Sequence, residues 1–285
     1  MTTSSYTVKG LRWTRTARRR VWAPIDGLGF VLGFLWQVLA SIPFVLKHYR
    51  AQTMTLITDM TWGRGAVIVG GGTAAVMGVM GVAVGVTTGI ESYSALDLVS
   101  LGQLTGVVSA FANTREIAPI AAGIGFAAQA GCRMTAEIGS MRIAEEIDAI
   151  ESLGVRSVPF VVTTRVIAGL VAIVPTFLIA LILSYVASAA IVVRLHGEAS
   201  GVYDHYFDMF VVGWDIAAAV IKVMVFAVAV IVIHCYQGFF ATGGPEGVGI
   251  ASGRAIRASL VAIIALNMVM TMLLWGFTAP VRFAG

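Results

Sequence analysis

Residues Val166–Val193 read VIAGLVAIVPTFLIALILSYVASAAIVV, with no Asp, Glu, Lys or Arg among them. A helix needs about 20 apolar residues to cross the hydrocarbon core of a bilayer, and this stretch exceeds that. It shows no period of two and mixes Ala, Gly and Ser with Val, Ile and Leu, which suits a membrane helix rather than a barrel strand. Four further stretches free of those charges flank it: Gly27–Leu46, Gly65–Ile90, Val223–Pro245 and Ala258–Val281. A sixth apolar region, Leu98–Cys132, is interrupted only by Arg115 and Glu116. The whole chain is 58% hydrophobic and 12% charged, whereas soluble domains carry about a quarter charged residues. These features predict an all-α integral membrane protein.

Charge placement then sets the number of spans, because short cytoplasmic loops collect Lys and Arg. If Gly27–Leu46 crossed the membrane, Lys47, Arg50 and Arg64 would face outward. Laid in the interface as an amphipathic helix, it keeps them inside. Two spans within Leu98–Cys132 would expel Arg133, Arg142, Arg156 and Arg165. One long helix bent at Pro119 keeps them inside. The loops left outside, Glu91–Asp97 and Arg194–Asp208, hold one Arg, no Lys and five acidic residues. The expected architecture is a basic N-terminus and interfacial helix over residues 1–63, then a permease-like domain over 64–285. Its five spans lie near 65–90, 98–130, 162–193, 209–235 and 257–280. The N-terminus is then cytoplasmic and the C-terminus outside. The basic block Lys9, Arg12, Arg15 and Arg18–Arg20 beside Trp13 and Trp22 fits anionic headgroups better than nucleic acid. An odd number of spans argues against two inverted repeats in one chain, so a second subunit is expected to supply the other half.

Two constellations bear on function. Arg115 and Glu116 interrupt the second expected span, and Asp215 and Lys222 lie seven residues apart in the fourth, on one helix face. Charges inside a membrane are functional candidates by default. They either neutralise each other, Arg115 with Glu116 and Asp215 with Lys222, or line a cavity for an amphiphile's headgroup. Between the second and third spans, Glu137–Gly154 reads EIGSMRIAEEIDAIESLG. Its Ile143, Ile147, Ile150 and Leu153 recur at helical intervals, with Arg142, Glu145, Glu146, Asp148 and Glu151 around them. Membrane-surface helices are typically basic. This acidic one is expected to dock a soluble partner.

Catalysis has no visible basis. Cys132 and Cys235 do not suggest a disulfide, and the four histidines lack metal-site spacing. Gly238–Arg257 is glycine-rich but contains neither a P-loop nor a dinucleotide fingerprint. No cofactor is expected in this chain, and ATP chemistry would belong to another subunit. Gly81, Gly85 and Gly89 permit close helix packing, within the subunit or between subunits.

The segments TREIAP (Thr114–Pro119), Ala130–Val155, TTR (Thr163–Arg165), Asp215–Ala227 and GGPEGVG (Gly243–Gly249) resemble the MlaE/YrbE permeases of bacterial ABC lipid transporters. The pattern is most similar to the B-type YrbE of actinobacterial Mce systems. The resemblance extends over nearly all the chain after about residue 25. It implies an interfacial helix plus five spans and a permease dimer, here with an A-type YrbE paralogue. It also implies two cytoplasmic ATPases that bind ATP and Mg, and MCE-domain proteins outside the membrane. By the matching motifs, Arg115, Glu116 and Lys222 fall at or beside the family's lipid pocket, and Glu137–Gly154 on its coupling helix. The implied activity is lipid movement, with fatty acids, mycolic acids and sterols all compatible with a greasy cavity bearing a few charges, and import is the direction the family implies. One departure is an inserted Cys132, since the family's AGR reads AGCR here. The competing expectations are an ion-coupled carrier or channel using Arg115, Glu116, Asp215 and Lys222, and a membrane-embedded lipid enzyme.

Overall fold

The computed structural model describes residues 33–63 and 72–276. The basic N-terminal block, residues 64–71 and the end of the last expected span lie outside them. Among the described residues every regular element is helical. Helix α1 covers 33–48, followed by α2 (Arg50–Trp62) and α3 (Thr73–Asp97). Helix α4 is one continuous rod. It runs through Thr105–Val108, π-helical Ser109–Ile117, Ala118–Phe126, π-helical Ala127–Gly131 and Cys132–Ile143. The short α5 (Glu146–Ser152) follows, then α6, π-helical at Val158–Thr163 and α-helical at Thr164–Arg194. The chain closes with α7 (Ser200–Phe210), α8 (Gly213–Phe239) and α9 (Gly244–Trp275).

Four of these helices are long and apolar enough to cross a membrane: α3, α6, α8 and α9. The protein is therefore a multi-pass membrane protein. Helix α4 is as long, but it carries Arg115 and Glu116 and two π-helical stretches. Contacts along the rods fix their directions. Gly81 meets Ala180 and Gly85 meets Ser184, so α3 and α6 run parallel. Arg115 meets Asp215 and Gly131 meets His234, so α4 and α8 run parallel. Helix α9 runs against α8, because Lys222 meets Thr271 while Asp215 meets Trp275.

The glycine spacing in α3 serves packing within the chain. A Cβ on Gly81 would lie 2.2 Å from the Ala180 carbonyl oxygen, and one on Gly85 would lie 2.1 Å from that of Ser184. Only glycine lets the two backbones approach this closely. The helix is π-helical over Ala127–Gly131, just before Cys132, where the sequence resemblance implies an extra residue. A π-turn holds one more residue than an α-turn, so a residue inserted there can be taken up while the flanking segments keep their faces.

Three boundaries differ from the sequence expectation. The expected outer loop Arg194–Asp208 holds most of α7, whose Tyr203 is buried. Helix α9 begins at Gly244, well before residue 257, because Gly243 and Gly244 take φ of 92° and 71° and Pro245 occupies the first turn. The segment expected to form one coupling helix, Glu137–Gly154, is split in two. Its first half completes α4, and Glu145, at φ 59°, breaks the helix before α5.

Candidate functional site

Helices α4, α6, α8 and α9 surround a polar cluster near one end of the bundle, at the start of α8 and the end of α9. The reason begins with Pro119. In α-helical register the Arg115 carbonyl would accept from the N–H of residue 119, and proline has none. Lys222 fills that vacancy, its Nζ donating to Arg115 O at 2.7 Å. The same ammonium donates to Glu116 Oε2 at 3.0 Å and to Thr271 Oγ1 at 2.8 Å. Thr271 in turn donates to Glu116 Oε1 at 2.6 Å, and Asn267 Nδ2 donates to Oε2 at 2.7 Å. Beside this group, Arg115 Nε donates to Asp215 Oδ2 at 2.8 Å, while Trp275 Nε1 donates to Oδ1 at 2.9 Å. The guanidinium also lies over the Phe111 ring, 3.9 Å from its centroid. Helix α6 joins through Ser184, which accepts from Asn113 Nδ2 at 2.9 Å.

The four charges expected from the sequence thus converge, but their pairing is crossed between helices. Arg115 takes Asp215, and Lys222 takes Glu116. The two pairs within one helix do not form. Successive helical residues point about 100° apart, and residues seven apart sit about 10 Å apart along the axis. Burial grades the cluster: side-chain exposure is 0% for Lys222, 3% for Asp215 and 12% for Arg115, against 33% for Glu116. Glu116 alone of the four presents a substantial surface. Asn267, Thr271 and Trp275 escaped the sequence reading. Their signal was present, since three residues at four-residue spacing form a polar-tipped stripe along α9.

At the far end of α4 the expected partner-docking residues divide. Ile147 is fully buried and belongs to the chain's own core, so it anchors α5 instead of facing a partner. Ile150 is half-buried, and Glu145, Glu146, Asp148 and Glu151 are exposed. Arg142 donates to Asp148 at 2.7 Å across the break, and Glu151 accepts from Ser157. Leu153 is 80% exposed. The outward face of α5 is acidic with one apolar end.

The family profile described as Permease MlaE matches residues 62–273, from the end of α2 almost to the end of α9. The chloroplastic protein TRIGALACTOSYLDIACYLGLYCEROL 1 of Arabidopsis thaliana is 30% identical over 188 residues, 66% of this chain and 54% of that protein. The chain thus spans about half the length of that relative. A probable ABC transporter permease of Synechocystis is 32% identical over 171 residues, 60% of this chain and 65% of that one. The intermembrane phospholipid transport system permease MlaE of Haemophilus influenzae is 26% identical over 197 residues, 69% of this chain and 76% of that one. With the matched region containing the crossed charge cluster and α5 alike, this chain belongs to the MlaE permease family.

Proposed function

We propose that this chain is the membrane subunit of an ATP-driven lipid transporter of the Mce type, with α5 as the docking point of a cytoplasmic ATPase that supplies ATP and Mg chemistry. The observation that carries the reading is the single rod of α4. It bears Arg115 and Glu116 at one level and ends at the break before α5, so a push on α5 reaches the charge cluster through continuous helix. In this reading α4 also spans, second in chain order, making five with α3, α6, α8 and α9, and α1 and α2 lie in the cytoplasmic interface of the cell membrane. Contacts of α1 support that placement: Phe34 packs against Tyr236 and Phe239 at the end of α8, and Thr163 at the start of α6 donates to Val38 O.

The lipid is a fatty acid, mycolic acid or sterol, moved inward, and its headgroup approaches the cluster on the side of Glu116, its most exposed member, where a sterol hydroxyl can donate to the carboxylate and an acid headgroup is drawn by Lys222. Exposed Val261, Ile264, Met268 and Met272 on the neighbouring α9 provide an apolar face for the paralogous A-type permease. MCE-domain proteins continue the path outside.

Leu153→Asp is expected to reduce copurification of the ATPase with the tagged chain while leaving its abundance unchanged, because Leu153 touches little of its own fold. Ile147→Asp is expected instead to lower abundance, since it places a charge in the core. Undiminished ATPase recovery with Leu153→Asp sinks the docking assignment, and lipid uptake driven by an ion gradient without any ATPase sinks the transporter class. For the pocket, Glu116→Gln is expected to change the copurifying lipid or slow uptake several-fold at matched abundance. Unaltered uptake and lipid profile would remove Glu116 from the pathway.

A further inference from the structure

The donors and acceptors around Glu116 leave an unequal remainder. A lysine ammonium carries three N–H groups, and those of Lys222 go to Arg115 O at 2.7 Å, Glu116 Oε2 at 3.0 Å and Thr271 Oγ1 at 2.8 Å. Its side chain is 0% exposed, so an incoming acid feels its charge without reaching a free hydrogen. Thr271 gives its single hydrogen to Glu116 Oε1 at 2.6 Å. Arg115 turns Nε and NH2 to Asp215 Oδ2, both at 2.8 Å, and its side chain is 12% exposed. Each carboxylate oxygen has room for about two donors. Oε2 is filled by Lys222 and by Asn267 Nδ2, whereas Oε1 receives Thr271 alone. The position left open on Glu116, at the exposed edge of the cluster, is therefore an acceptor on an anion. Asn267 Nδ2 keeps a second hydrogen beside it. Another open acceptor, Asn267 Oδ1, is buried.

We propose that this edge selects an uncharged lipid hydroxyl over a free carboxylate, the hydroxyl donating to Glu116 Oε1 and accepting the second hydrogen of Asn267 Nδ2. A hydroxyl does both at once, and its bond to a charged acceptor is stronger than one between neutral groups. A carboxylate brings no hydrogen of its own. It would lie against the exposed Glu116 charge with nothing shared between them, and like charges at that range repel. An ammonium headgroup would donate, but it would add a third cation beside Arg115 and Lys222. The surroundings suit an aliphatic body. Ile117, Met268 and Met272, each next in sequence to a residue of the cluster, are 39%, 63% and 59% exposed. The proposal rests on the transport reading given above and narrows its cargo, since among the lipids named there a sterol presents a hydroxyl without a carboxylate.

Three probes that share one aliphatic chain separate the contributions: oleyl alcohol, oleate, and methyl oleate, which has neither donor nor charge. Each is offered to the full chain in phosphatidylcholine nanodiscs at equal mole fraction, with oleate held ionised by alkaline buffer, and retention is read by native mass spectrometry. The wild type is expected to retain the alcohol about tenfold over each of the others, the size of one hydrogen bond to a charged group. Glu116→Gln keeps an oxygen for Lys222 and turns the open acceptor into an N–H. It is expected to erase the preference for the alcohol and to raise oleate retention several-fold. Equal or greater retention of oleate by the wild type overturns the selection, and methyl oleate matching the alcohol overturns the hydrogen bond. Neither result needs the variant to fold. Both are binding ratios, so they are distinct from the uptake of Glu116→Gln, whose failure to change would remove the transport reading instead.

Discussion

Asp215→Ala is expected to reduce folded protein in the membrane severely, and Leu at both 115 and 215 to recover much of it. The carboxylate accepts from Arg115 and Trp275, and both charged side chains are almost wholly enclosed. Removing one member of a buried pair leaves an uncompensated charge, at about 3–5 kcal/mol. Replacing both with apolar residues is often close to neutral. Double-mutant comparison of abundance and of the thermal midpoint in detergent separates these terms. Additive losses in the double variant would show that the pair is not a unit. Lys222→Met carries a further penalty, since it opens both Glu116 and the Arg115 carbonyl that Pro119 cannot serve.

The Gly81→Val, Gly85→Val double variant is expected to prevent accumulation of the chain. At both positions a first side-chain carbon would sit inside a carbonyl of α6, so the two helices must separate along their closest contact. Overpacking a core costs about 1–3 kcal/mol per site, and here rigid backbone leaves no side chain to yield. Gly78→Val is the control, because its nearest neighbour is a flexible atom, Leu183 Cδ1, at 3.5 Å. Equal abundance of the double variant and the control would refute close α3–α6 packing.

Several residues of the candidate site were legible before the structure. Arg115, Glu116, Asp215 and Lys222 stood out because charge in apolar sequence is costly, and all four converge. Their partners were not legible. Pairing depends on which helices neighbour each other and in what direction, and α4 and α8 bring together residues about a hundred positions apart. The helical pattern in Glu137–Gly154 was also legible, but its inner and outer faces were not. Apolar periodicity names a buried face without saying whether the burial is against the chain itself or a partner, and Ile147 proved to face its own core.

Composition and charge-free length by themselves determined an all-helical membrane protein, because an unpaired backbone is excluded from hydrocarbon whatever the tertiary arrangement. Tertiary structure decided the rest. The crossed ion pairs and the Lys222 bond to the Arg115 carbonyl both arise between helices. Local sequence states the need of each such group for a partner, while only packing supplies one.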